Sequence, residues 1–206
     1  MRLSQTPATT IITVATVACY ALASLSGMSE QAWQAGGFIP ARVEGLSTTG
    51  ALPLWVTPLT TTLLHGGLLH LGLNILVLIF CGRMVETVIG PFGLVALYVS
   101  GAYLSAAAQF VADPLDVSPM IGASGAISAL FAAYAVLYGR PRLLTGHPLL
   151  AASVNILWLA AAWIGVQFLM GIAFAGVGMA VATAAHVGGF VAGLLGTRPL
   201  LLLSGR

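Results

Sequence analysis

The stretch PFGLVALYVSGAYLSAAAQFVA, residues 91–112, contains no charged side chain. A bilayer core takes about 20 apolar residues coiled as a helix, so this run reads as a membrane span. Five more runs of the same kind flank it, at 9–27, 63–82, 120–138, 149–170 and 177–197. The breaks between them carry helix-ending punctuation: Gly90-Pro91, Asp113-Pro114, Ser118-Pro119, Arg140-Pro141 and His147-Pro148. Ser118-Pro119 reads as an N-cap followed by proline at the first helical position. The pattern predicts an all-α membrane protein: a six-transmembrane-helix bundle forming a single domain over 1–206, with its core at about 55–197.

Composition points the same way. Of the 206 residues, 59% are hydrophobic and 6% charged, and mean hydropathy is +1.02. A soluble domain carries roughly 25% charged residues. A surface this poor in charge takes lipid as its main solvent, so the bilayer is the first partner. The net charge is +2, from seven arginines and no lysine against five acids. No basic cluster exists to meet phosphates, which argues against nucleic acid. Cys19 and Cys81 each sit in an apolar run and read as small buried residues, not a disulfide or metal pair.

The arginines orient the chain. With the N-terminus inside, Arg2, Arg83, Arg140, Arg142, Arg198 and Arg206 fall on the cytoplasmic side and only Arg42 outside. This bias predicts a multi-pass protein with both termini cytoplasmic; the low charge and absence of added domains suggest the inner (plasma) membrane. Ser124 then lies near the outer end of the fourth span. The first run also has a signal-peptide reading, with Arg2 ahead of it and Ala21-Leu22-Ala23 as a small-residue site. Its length to Gly27 favours a retained helix. Residues 28–62 hold Trp33, Phe38, Pro40, Leu52, Trp55 and Pro58. They read as an interfacial first loop resting in the outer leaflet, or as a loop packed over the outer helix ends.

Within the spans, a few polar residues stand out. Gly122-Ala123-Ser124-Gly125 puts a hydroxyl between glycines that let another backbone approach. His186 is an ionisable side chain inside a span; such residues are costly and are functional candidates by default, the alternative being a neutral histidine bonded to a carbonyl. Gly189 and Gly193 lie three and seven residues on, on the same helix face. That face can dock closely on the strip Ser124, Ser128 and Ala132, which would bring Ser124 within reach of His186. The central apolar stretches contain no carboxylate, so the pair reads as a Ser–His dyad, not a triad. His70 and Asn74, four apart on the second span, read as donors of the kind an oxyanion needs or as polar groups gluing helices together. Ser105 and Gln109 repeat that spacing in the third span; they read as water-holding groups or as helix glue. No His-Glu-x-x-His is present and no acid sits beside the histidines, so no metal is expected.

These residues together resemble the rhomboid intramembrane serine proteases, from about Trp55 to Gly196. The resemblance rests on His70-x-x-x-Asn74, Gly82-x-x-x-Glu86, Ser105-x-x-x-Gln109, Gly122-x-Ser124-Gly125 and Ala185-His186-x-x-Gly189-x-x-x-Gly193. It implies Ser124 as nucleophile and His186 as general base. It implies an oxyanion hole from the Ser124 amide, His70 and Asn74, with Ser105 and Gln109 retaining water. Glu86 would be structural. The implied substrates are transmembrane proteins, cut near the outer surface without a cofactor. Three positions depart from the family pattern: Trp55 is followed by Val56, Ser128 stands where some relatives carry an aromatic residue against the histidine, and Thr61 stands where some carry another histidine. Two other classes compete. A non-catalytic rhomboid-like protein that binds membrane clients would usually lack the dyad. A transporter predicts paired repeats or further intramembrane charges, which the sequence does not offer.

Overall fold

The computed structural model describes residues 6–139, 148–175 and 182–204. Arg2, Arg140, Arg142, His147 and Arg206 lie outside the described residues. The regular elements are helices: α1 (Pro7–Leu25), α2 (Ser29–Gly36), α3 (Thr57–Thr60), α4 (Leu68–Val77), α5 (Arg83–Ala112), α6 (Ser124–Tyr138), α7 (Pro148–Ala175) and α8 (Thr183–Leu203). A π turn, Leu78–Gly82, joins α4 to α5. Among the described residues, Pro7–Leu25, Leu68–Ala112 and Thr183–Leu203 are long and apolar enough to cross a membrane, and Ser124–Tyr138 is a shorter apolar helix.

The stretch Leu68–Ala112 is broken once. Gly90 has φ 77° and ψ 172°, a region that essentially only glycine occupies, and Pro91 behind it has no amide hydrogen to donate. The chain reverses there. His70, before the break, and Ser105, after it, both lie against the Gly122–Gly125 turn, so the two arms run back to the same end of the molecule.

The core forms between α5, α6 and α8. Leu78, Val85, Leu94, Leu97, Ile127 and Leu130 are fully buried. α6 is lined with alanine, and Ala129, Ala132 and Ala133 expose nothing. Small side chains on both partners let helix backbones meet without a hydrophobic drive, which lipid does not supply. Gly189 rests on the Gly125 carbonyl, and Gly193 on Ala129 and Ala132. The docking strip on α6 is thus Gly125, Ala129 and Ala132, rotated from the expected Ser124, Ser128 and Ala132. Ser124 sits at the edge of this strip, against His186 of α8, and Ser128 turns to Trp163 of α7.

α1 is tied to this core by Glu86, which is 2% exposed. Its carboxylate accepts from the Ala8 and Thr9 amides at 2.9 and 2.8 Å and from Thr9 Oγ1 at 2.6 Å. Those amides belong to the first turn of α1, where no intrahelical acceptor exists. The acid satisfies them and meets the positive end of the helix dipole.

The fourth span begins later than Ser118-Pro119 predicts. Met120 exchanges backbone hydrogen bonds with Phe38, at 2.8 and 3.2 Å, and the Gly122 amide donates to the Thr61 carbonyl at 3.0 Å. Thr61 Oγ1 donates to the Met120 carbonyl. Backbone groups committed to these partners cannot join a helix, so α6 starts at Ser124. In the first loop, Phe38 and Ile39 are buried while Leu46, Leu52 and Trp55 are exposed. Arg42 Nη2 donates to the Leu52 carbonyl at 2.9 Å, and Tyr103 donates to the Trp55 carbonyl at 2.8 Å.

Candidate active site

Ser124 is the first residue of α6. Ser124, Gly125 and Ala126 therefore present amides with no intrahelical acceptor. The turn before it depends on Gly122, whose φ is +115°. A side chain there would be strained, and its Cβ would sit 2.7 Å from His70 Nε2. Glycine thus lets the imidazole of α4 lie directly on the turn that leads into the serine.

His186 stands in the first turn of α8. Its Nε2 lies 2.7 Å from Ser124 Oγ, a short hydroxyl–imidazole contact. His186 is 6% exposed, and its Nδ1 has no hydrogen-bond partner among the described residues. The contact spans 62 residues of sequence. It exists because the glycines of α8 let that helix sink onto α6 and α5: Gly189 rests on the Gly125 carbonyl, and Gly188 packs against the Leu104 backbone and Ala108.

A cavity of about 200 Å³ opens beside this pair. Ser124, His186, His70, Asn74 and Ser105 all line it. Asn74 is 6% exposed, and its Nδ2 donates to the His70 carbonyl at 2.8 Å. That leaves one amide hydrogen for another acceptor. His70 Nδ1 lies 3.5 Å from the Gly66 amide, and Nε2 is the nitrogen beside Gly122. Ser105 is 1% exposed, pressed between Gly125 and Gly189, with no partner for its hydroxyl among the described residues. Gln109 is not part of the cavity wall. It is half-buried one turn further along α5, and its Oε1 has no partner among the described residues. Among the described residues no group of histidines, cysteines and acids has the placement of a metal site.

Trp163 and Gln167 of α7 also line the cavity, and sequence reasoning did not single them out. Both are largely buried, at 8% and 7% exposure. Trp163 Nε1 donates to Ser128 Oγ at 3.2 Å, and Ser128 donates to the Ser124 carbonyl at 2.7 Å. A signal was available: Gln167 is the one amide side chain between 156 and 175, and it follows Trp163 by one helical turn. Thr61, noted only as a departure, proves to bind the loop that leads into Ser124.

Two comparisons bear on this site. The family model described as Rhomboid domain matches residues 54–202, a stretch that includes every cavity residue named above. Rhomboid-related protein 3 of Homo sapiens is 36% identical over 76 residues, which are 37% of this chain and 18% of that protein. The similarity thus spans under a fifth of that relative's length.

Proposed function

The chain belongs to the rhomboid family, and on that premise we propose that it is an intramembrane serine endopeptidase. The observation that carries the proposal is the 2.7 Å contact of Ser124 Oγ with His186 Nε2 beside a cavity. A serine hydroxyl is a weak nucleophile until a base accepts its proton. With its proton on Nδ1, His186 offers the Nε2 lone pair to Ser124. Ser124 Oγ attacks the scissile carbonyl as its proton passes to Nε2. The resulting oxyanion is met by the Ser124 amide, the remaining Asn74 amide hydrogen and His70 Nε2–H. His186 then gives its proton to the leaving amine. A water molecule, activated by the same nitrogen, hydrolyses the acyl-enzyme. Ser105 is the hydroxyl within the cavity wall suited to hold that water, and Gln109 would act from one turn away.

The finer architecture is part of the proposal. Six crossings are formed by α1, the arm from α4 to Gly90, the arm from Pro91 to Ala112, α6, α7 and α8, as a single domain. The protein sits in the inner (plasma) membrane with both termini cytoplasmic, and the exposed Leu46, Leu52 and Trp55 of the first loop rest in the outer leaflet. The substrates are transmembrane proteins, whose helix must unwind locally because a helical peptide bond is shielded. No cofactor enters any step.

The test is activity-based labelling of the purified protein with a fluorophosphonate, wild type beside Ser124→Ala. Labelling confined to wild type, with cleavage of a model transmembrane substrate in proteoliposomes, supports the proposal. Equal labelling of both proteins, or none of either, rejects it.

A further inference from the structure

Trp163 reaches from α7 beneath both members of the Ser124–His186 pair. Ser128 lies one turn beyond Ser124 on α6, and Phe190 one turn beyond His186 on α8. The Trp163 indole donates to Ser128 and packs with Phe190 and Ala132 in one buried cluster. It also stacks on Phe131, with ring centroids 4.4 Å apart and planes 20° off parallel. His186, in contrast, has no polar partner on Nδ1 among the described residues. The polar ties of the dyad run through the serine.

We infer that Trp163 is a positioning residue for the Ser124 nucleophile, acting through the hydroxyl of Ser128. The inference rests on the peptidase reading above. Ser124 opens a helix, and the first turn of a helix has the fewest backbone bonds to hold it. The indole N–H occupies an acceptor site of Ser128 Oγ and directs its hydrogen onto the Ser124 carbonyl. A hydroxyl that accepts a hydrogen bond donates a stronger one. The carbonyl so held belongs to the residue whose Oγ must stay aligned with His186 Nε2. In acyl transfer a misplacement of about 1 Å costs on the order of a hundredfold in rate. The departure at Ser128 then has a purpose: a small hydroxyl there leaves room for the indole and relays its hydrogen bond to Ser124.

The experiment measures acylation of Ser124 by a fluorophosphonate on the purified full-length protein in detergent micelles. Wild type is compared with Trp163→Phe, Ser128→Ala and the double variant. Phenylalanine keeps a ring on Phe131 and removes the donor together with the second ring of the indole, a loss of volume that Ser128→Ala does not share. Each single variant is expected to lower the maximal acylation rate about tenfold, with the half-saturating probe concentration within about twofold of wild type. The melting temperature is expected to stay near that of wild type. The double variant should be no slower than Ser128→Ala, because Trp163 acts only through Ser128. A Trp163→Phe rate equal to wild type overturns the inference. So does a double variant in which the two losses multiply, or a rate loss matched by a fall in melting temperature. Absence of Ser124 labelling in wild type would remove the peptidase reading and this inference together, and that outcome is seen before any variant is made.

Discussion

Gly189 of α8 lies over the carbonyl oxygen of Gly125 on α6, so closely that a methyl group on it would overlap that oxygen. Gly193 stands in the same relation to the Ala129 carbonyl one turn below. These two contacts set the distance between the helices that carry Ser124 and His186.

Gly189→Ala should therefore separate the pair as well as destabilise the fold. The new methyl meets backbone, which cannot rotate away, so the expected cost is about 2 kcal/mol or more. Gly193→Ala should cost a similar amount but act one turn further from the dyad. Thermal melts and fluorophosphonate labelling at a temperature where both variants are folded check this. Gly189→Ala is expected to lose more labelling than Gly193→Ala at equal stability; the reverse order would contradict the assignment.

His186→Ala removes the proposed proton acceptor of Ser124. A general base contributes on the order of 10²–10⁴-fold, so the acylation rate should fall by about a thousandfold or more. Undiminished labelling at Ser124 in this variant would count against the dyad.

Asn74→Ala removes an amide that lines the cavity and holds one hydrogen in reserve. If that hydrogen meets the oxyanion, kcat drops by about a hundredfold with KM nearly unchanged, as for loss of one oxyanion donor. Kinetics on a cleavable transmembrane peptide separate the two constants. A rise in KM at constant kcat would assign Asn74 to substrate binding instead.

Glu86→Gln tests a different end of the molecule. The carboxylate accepts three hydrogen bonds from Ala8 and Thr9, and an amide can accept only with its oxygen. Loss of charge-assisted bonds in a buried site predicts about 2 kcal/mol of destabilisation. α1 should become sensitive to added protease, while Ser124 labelling below the melting temperature stays near wild type. An unchanged melting curve would show that Glu86 does not hold α1.

Much of this was legible in the sequence. The apolar runs mark helices because lipid leaves the backbone no other partner, and the run at 91–112 is found as the second arm of α5. The rhomboid resemblance drawn from five short motifs agrees with the family match over 54–202. The start of α6 differs from the sequence expectation because Ser118-Pro119 obeys a local capping rule, whereas Met120 and Gly122 are claimed by Phe38 and Thr61 from distant sequence. The docking strip was offset because spacing reports which residues share a helix face but not how far that face is turned. Trp163 is marked in the sequence only by its spacing to Gln167, and a tryptophan in an apolar run carries no sign of the serine it binds.

The sequence by itself determined that the chain lives in lipid, which polar residues are buried there at a cost, and which family it belongs to. These follow from composition and from short-range spacing, since each residue's transfer energy and helical register are local properties. Only the tertiary structure decided which polar residues meet. Ser124 and His186 come to 2.7 Å because glycines on α8 admit the backbones of α6 and α5. Gln109 is left out of the cavity wall, and Trp163 and Gln167 are brought into it. Those outcomes depend on the rotation and depth at which helices pack, set by many small contacts at once and encoded at no single position.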